Sequence, residues 1–241
     1  MTLPPGFTVG HWTDPVGMTG CTVILCEAGA TAGVDVRGGA VATIQTDIIG
    51  TASASAILHA VLLTGGSAFG LAAYAGVMRY LEERGVGVAV RDWRVPHVAG
   101  AVIFDLAVGD AKARPNADSG YAAARMAAAD PAEGLVGAGT GATVAKLATG
   151  RLAGGLGIAS APAGDSTVTA VMVVNALGDV WDGERNEWAA RSGRPTPTAT
   201  ATRCSAWLPG PPPRTPSTCS VPPRTRSRGP SSGPSVRRVG Q

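Results

Sequence analysis

Lysine is scarce in the first 190 residues of this 241-residue chain: Lys112 and Lys146 stand against nine Arg. Lys can do what Arg cannot, because it sheds its proton when desolvated and can act as an acid, a base or a compact charge. Lys146 is therefore a candidate for chemistry, with a solvated surface residue as the plain alternative. The second candidate is Gly65-Gly66-Ser67-Ala68-Phe69-Gly70, placed between an apolar run and a helical pattern. Such a turn can aim backbone N–H groups at an anion or a developing oxyanion. Gly65, Gly66, Ser67 and Phe69 could thus line a binding pocket, or merely join a strand to a helix. Ser67 does not fit a nucleophile elbow, since G-x-S-x-G needs Gly where Phe69 stands.

Other motifs are weaker. Gly137-Ala138-Gly139-Thr140-Gly141-Ala142 satisfies G-x-G-x-x-G/A in letters, yet only Leu135-Val136 precedes it as a strand and no acidic residue sits at the ribose position. His11, His59 and His97 have no metal-ligand spacing, and no metal or cofactor is expected. Asp35, Asp47 and Asp105 sit at strand ends or turns, where capping is the expected role. Cys21 and Cys26, five apart on a strand, point to opposite faces and are expected to be reduced thiols.

The elements that must position these residues follow from periodicity. Strands are expected at 21–26, 33–35, 57–63, 86–90, 102–106, 155–160 and 167–175. A helix is expected over 68–84, with Leu71, Tyr74, Ala75, Met78 and Leu81 as its apolar stripe and Gly85 as its stop. A second helix should start at Asp118 or Ser119 and run through Ala129, and Lys146 should lie on a short helical stretch. The strand–helix–strand order over 57–90 favours an α/β class.

Composition divides the chain. The first 190 residues carry 11 basic and 17 acidic side chains, while 191–241 has nine Arg, eleven Pro and no acid. The sequence predicts a domain over 1–188 and a disordered or off-frame tail over 189–241. Basic charge confined to a Pro-rich run without interleaved aromatics does not indicate a nucleic-acid partner. The N-terminus has no export-signal pattern and no apolar stretch approaches the length of a membrane span, so the cytoplasm is expected.

Taken in order, several segments resemble the L-aminopeptidase/D-esterase family of the DmpA type, which includes nylon-oligomer hydrolases. They are Val9-Gly10-His11-Trp12-Thr13-Asp14, Thr19-Gly20-Cys21-Thr22-Val23, Val36-Arg37-Gly38-Gly39-Ala40, Leu62-Leu63-Thr64-Gly65-Gly66-Ser67-Ala68-Phe69-Gly70-Leu71, Val102-Ile103-Phe104-Asp105-Leu106 and Gly137-Ala138-Gly139-Thr140-Gly141-Ala142-Thr143. The resemblance covers about residues 9–182. It implies an αββα-layered N-terminal-nucleophile hydrolase, in which self-cleavage frees a Ser or Thr whose own α-amine serves as base. It also implies that Lys146 lies beside the nucleophile, that Asn175 lies near the oxyanion site, and that the Gly65–Gly70 turn lines the pocket.

The implied substrate is a small peptide or an amino-acid amide. The cleavage motif that the resemblance implies, a short Asn-Thr-Thr or Gly-Ser opening an apolar strand, matches no segment here, so no nucleophile is assigned. The chain as written is expected to be an inactive hydrolase. Two other classes stay open: a non-catalytic binding or assembly module, and an acyl transferase of the ornithine acetyltransferase type. An open sheet edge makes a homo-oligomer the expected state.

Overall fold

In the computed structural model the described residues are 3–38, 40–50, 57–146, 151–183 and 186–188. The expected tail over 189–241 lies outside them. In chain order the strands are β1 (Thr8–Asp14), β2 (Thr19–Thr31), β3 (Thr43–Ile44), β4 (Ile57–Thr64), β5 (Val88–Val90), β6 (Trp93–Val95), β7 (Val98–Val102), β8 (Thr143–Val144), β9 (Leu152–Ala153), β10 (Leu156–Ala163), β11 (Ser166–Val173), β12 (Trp181–Asp182) and β13 (Glu187–Trp188). The α-helices are α1 (Tyr74–Glu83) and α2 (Ala117–Arg125).

The main sheet has the order β1-β2-β4-β7-β3. Neighbours pair antiparallel except β4 and β7, which run parallel from Ala60↔Val98 to Thr64↔Val102. The crossover between them contains α1, so the strand–helix–strand unit is real, but its returning strand is not the one expected at 86–90. Val88–Val90 instead forms a separate hairpin with Trp93–Val95. The expected strand at 102–106 ends at Val102, and Ile103 and Asp105 bond the neighbouring 64–67 loop instead of a strand. Residues 33–35 belong to no strand.

Alternation along the strands sends Cys21, Val23, Leu25, Ala60 and Leu62 to one face, where they meet Ala73, Val77, Leu81, Ala123 and Ala124. The buried stripe of α1 is Gly76, Val77 and Leu81, with Ala75 exposed. That differs from the expected stripe because Ser67–Ala73 is a 3₁₀ helix, and three residues per turn shift the phase before α1 begins. Gly85 ends the helix at φ +67, with Gly85 N–H bonded to Glu82 O and Val86 N–H to Leu81 O. This is a Schellman motif, and it closes with Val86 packed on the core.

α2 starts earlier than expected. Asn116 is its cap, accepting from Ser119 N–H while Ser119 Oγ accepts from Asn116 N–H. It also ends earlier, at Arg125, because the chain beyond it exchanges hydrogen bonds with β1, Ala128 N–H to Val9 O and Val9 N–H to Ala128 O. The helices meet over glycine: a Cβ on Gly76 would stand 1.7 Å from Ala117 O, and one on Gly120 2.0 Å from Ala73 O.

The opposite face of the sheet is covered by the β10–β11 hairpin. Leu156, Ile158, Val171 and Val173 pack with Leu3, Phe7, Val9 and Ile24. The described layers are therefore helices, main sheet and a second sheet that begins with this hairpin.

Candidate active site

β4 and β7 reach the same end of the sheet, and the loops that leave them are tied together. Ile103 N–H donates to Thr64 O at 2.8 Å and Ser67 N–H to Ile103 O at 3.1 Å. Gly65 N–H donates to Gly20 O at 2.8 Å. Asp105, 2 % exposed, accepts from Gly66 N–H at 2.6 Å through Oδ1 and from the Thr19 hydroxyl at 2.7 Å through Oδ2. A Cβ on Gly65 would fall 2.1 Å from Asp105 Oδ2, so glycine is required there by the close approach. Gly66 (φ +79) and Ser67 (φ +53) complete the turn in left-handed backbone.

This geometry changes the expected role of the turn. The N–H groups of Gly65, Gly66 and Ser67 are all bonded internally, Gly66 to the Asp105 carboxylate, so they shape the turn and are not open to a bound anion. Asp105 is more than a turn cap. It is a buried carboxylate fixing two loops at once, and the signal for it was an acid inside the apolar run Val102-Ile103-Phe104-Asp105-Leu106.

Lys146 follows β8 in a turn, not a helix, after Ala145 in left-handed backbone (φ +53). Its Nζ donates to Thr143 O and, at 3.2 Å, to Ala176 O. The side chain is partly buried, and that burial lowers its pKa to about 8, helped by the charge of Arg151 and opposed by that of Asp105. Two carbonyls take two of the three ammonium donors, and among the described residues the third has no hydrogen-bond partner. Asn175 lies just past β11, and its Oδ1 accepts from Phe104 N–H at 3.0 Å. Among the described residues its Nδ2 has no hydrogen-bond partner, which leaves an amide donor available for an oxyanion. Asn175 and Ala176 thus connect the Phe104–Asp105 loop to Lys146.

The remaining candidates separate from this centre. A cavity of about 390 Å³ is lined by Met18, Val108, Leu135, Thr143, Arg151 and Leu152 among others, and Gly65, Gly66, Ser67 and Phe69 do not line it. At Gly137–Gly139 the chain makes a 3₁₀ turn, with Gly137 N–H given to Thr13 Oγ1 and Ala138 N–H to Thr22 Oγ1. Those donors serve packing against β1 and β2, which removes the phosphate cradle that a dinucleotide site needs. The Cys21 thiol is pushed up to about 12, chiefly by burial, so it offers no thiolate nucleophile.

A model of peptidase family S58 matches residues 4–197. The chain belongs to peptidase family S58. Over 186 residues the S58 chain is 47% identical to a protein named uncharacterized aminopeptidase from Mycobacterium tuberculosis, covering 73% of this chain and 53% of that one. It is 36% identical over 183 residues to a 6-aminohexanoate-oligomer endohydrolase of Kocuria sp., covering 74% and 48%. Among solved structures it is similar to the L-aminopeptidase D-Ala-esterase/amidase of Ochrobactrum anthropi, described as a variant of the Ntn hydrolase fold. The TM-score is 0.56 at 21% identity, over 75% of this chain and 56% of that one. The fold is thus that of the Ntn hydrolases. The chain spans about half the length of the curated relatives it matches. No helix among the described residues is long and apolar enough to cross a membrane.

Proposed function

We propose that this S58 chain carries the acid/base and oxyanion half of an aminopeptidase-type amide hydrolase acting on small peptides or amino-acid amides. The observation that carries it is Lys146: an ammonium drawn into a half-buried niche, beside the loop that binds Asn175 and next to Asp105. Lys146 would steer protons at the nucleophile and Asn175 Nδ2 would hold the oxyanion, with no metal or cofactor required. Gly65, Gly66, Ser67 and Phe69 would form the wall next to that centre. The nucleophile would be a Ser or Thr exposed by self-cleavage, and no segment of 1–241 supplies the motif for it.

The purified chain should therefore run as one uncut species and leave amino-acid anilides intact. Two fragments with anilide hydrolysis would overturn the inactive part of this proposal. Shifting the reading frame near the start of the tail should restore an apolar strand opening with Ser or Thr, and the restored protein should cleave itself. A restored protein that cleaves itself yet hydrolyses no amide substrate sinks the hydrolase proposal.

A further inference from the structure

Beside the Gly65–Phe69 turn, the segment ending in Arg114-Pro115 packs on it: Pro115 is buried, and its Cδ lies 3.1 Å from the place of a Cβ on Gly66. Arg114 lays its guanidinium over Phe69, with the central carbon 3.7 Å from the ring centroid. Its Nε donates to Ala111 O at 2.8 Å. Phe69 is 57% exposed, a large aromatic face covered on one side by this cation. Arg37, Arg79 and Arg84 pair with Asp35, Asp118 and Glu27, whereas Arg94 and Arg151 give an Nη to the carbonyls of Gly87 and Ala107. Among the described residues no carboxylate pairs with Arg114, and its two Nη nitrogens have no partner.

The guanidinium is thus oriented by a ring and a carbonyl while its outer fork stays open. An Arg fork fits a carboxylate with two parallel N–H···O bonds, and stacking reduces the freedom lost when they form. We propose that Arg114, held on Phe69, binds a free carboxylate on the substrate. Short peptides with a free C-terminus would then be preferred over amino-acid or peptide amides. This rests on the amide-hydrolase proposal and names its substrate class.

Titration calorimetry of the full chain with alanyl-alanine and with alanyl-alanine amide tests it without requiring turnover. The free dipeptide should bind about tenfold more tightly, the equivalent of one charge-assisted hydrogen-bond pair. Arg114→Gln should erase the preference with an unchanged thermal melt, Arg114→Lys should restore it only in part, and Phe69→Leu should weaken it. Equal binding of both peptides, or a preference surviving in R114Q, overturns the assignment and leaves the hydrolase proposal standing. Binding of neither overturns both. An Arg114-dependent preference for hexanoate over hexanamide, with no gain from a peptide bond, keeps the carboxylate role and counts against amide substrates.

Discussion

At the scale of single residues, Lys146 and Asp105 carry the charges of the proposed site, and each makes a distinct prediction. Lys146 titrates near 8 in the folded protein and near 10.5 when free, so between these values the unfolded chain holds the extra proton. Stability should therefore rise with pH across that window, since burial of the charged amine costs most below it. Urea unfolding at pH 7, 9 and 10.5 should show this as a stability difference, native minus Lys146→Met, that grows with pH, since the opposing titration of buried Cys21 is common to both proteins. Parallel curves for the two would refute the burial argument. Asp105→Asn keeps an acceptor for Gly66 N–H but presents an amide donor to the Thr19 hydroxyl. It should cost about 1–3 kcal/mol in stability, because a charge-assisted buried bond is lost. It should also lower the Lys146 pKa further, measurable by the pH dependence of lysine modification. Lys146 stood out in the sequence as a candidate because Lys is rare here. Asp105 was legible only as an acid at a strand end, because its two partners, Thr19 and Gly66, lie 86 and 39 residues away.

At the scale of elements, close backbone contact replaces side-chain interlocking between α1 and α2. Gly76→Ala and Gly120→Ala each place a methyl inside van der Waals distance of a carbonyl on the facing helix segment. Each should destabilise the protein by about 1–3 kcal/mol, the ordinary cost of overpacking, despite the higher helix propensity of Ala. Gly33→Ala, with open space around it and no positive φ, should leave the thermal midpoint unchanged. If all three variants melt alike, the helices are not held by that contact. Apolar runs and periodicity located β4, α1, β10 and β11. They missed the β5–β6 insertion and the phase shift of α1, because hairpin partners and a 3₁₀ turn leave no separate trace in apolar spacing. Local polarity could not show that Asn116, three residues before Ser119, would be the true cap of α2.

For the whole molecule, the decisive feature is a sheet buried on both faces by segments far apart in the chain. Leu62 packs under α1 and α2, whereas Leu156 joins Leu3 and Val9 beneath the β10–β11 hairpin. The sequence marks all of these as apolar but not which meets which, since pairing across some 150 residues is decided by topology. Both leucines are fully buried, and truncating either should remove transfer energy and leave a cavity. Leu62→Ala and Leu156→Ala should each cost about 2–5 kcal/mol in urea unfolding followed by circular dichroism. They belong to different clusters separated by the sheet, so the double variant should lose the sum to within about 0.5 kcal/mol. A clear departure from additivity would mean that the sheet passes strain from the hairpin to the helices, making the two cores one. Additivity would instead let the hairpin loosen without disturbing the helical layer, although its exit at Asn175 carries the candidate oxyanion donor. In that case Leu156→Ala should shift the amide signals of Phe104 and Asn175 in an NMR spectrum, while Leu62→Ala mainly shifts those of α1 and α2.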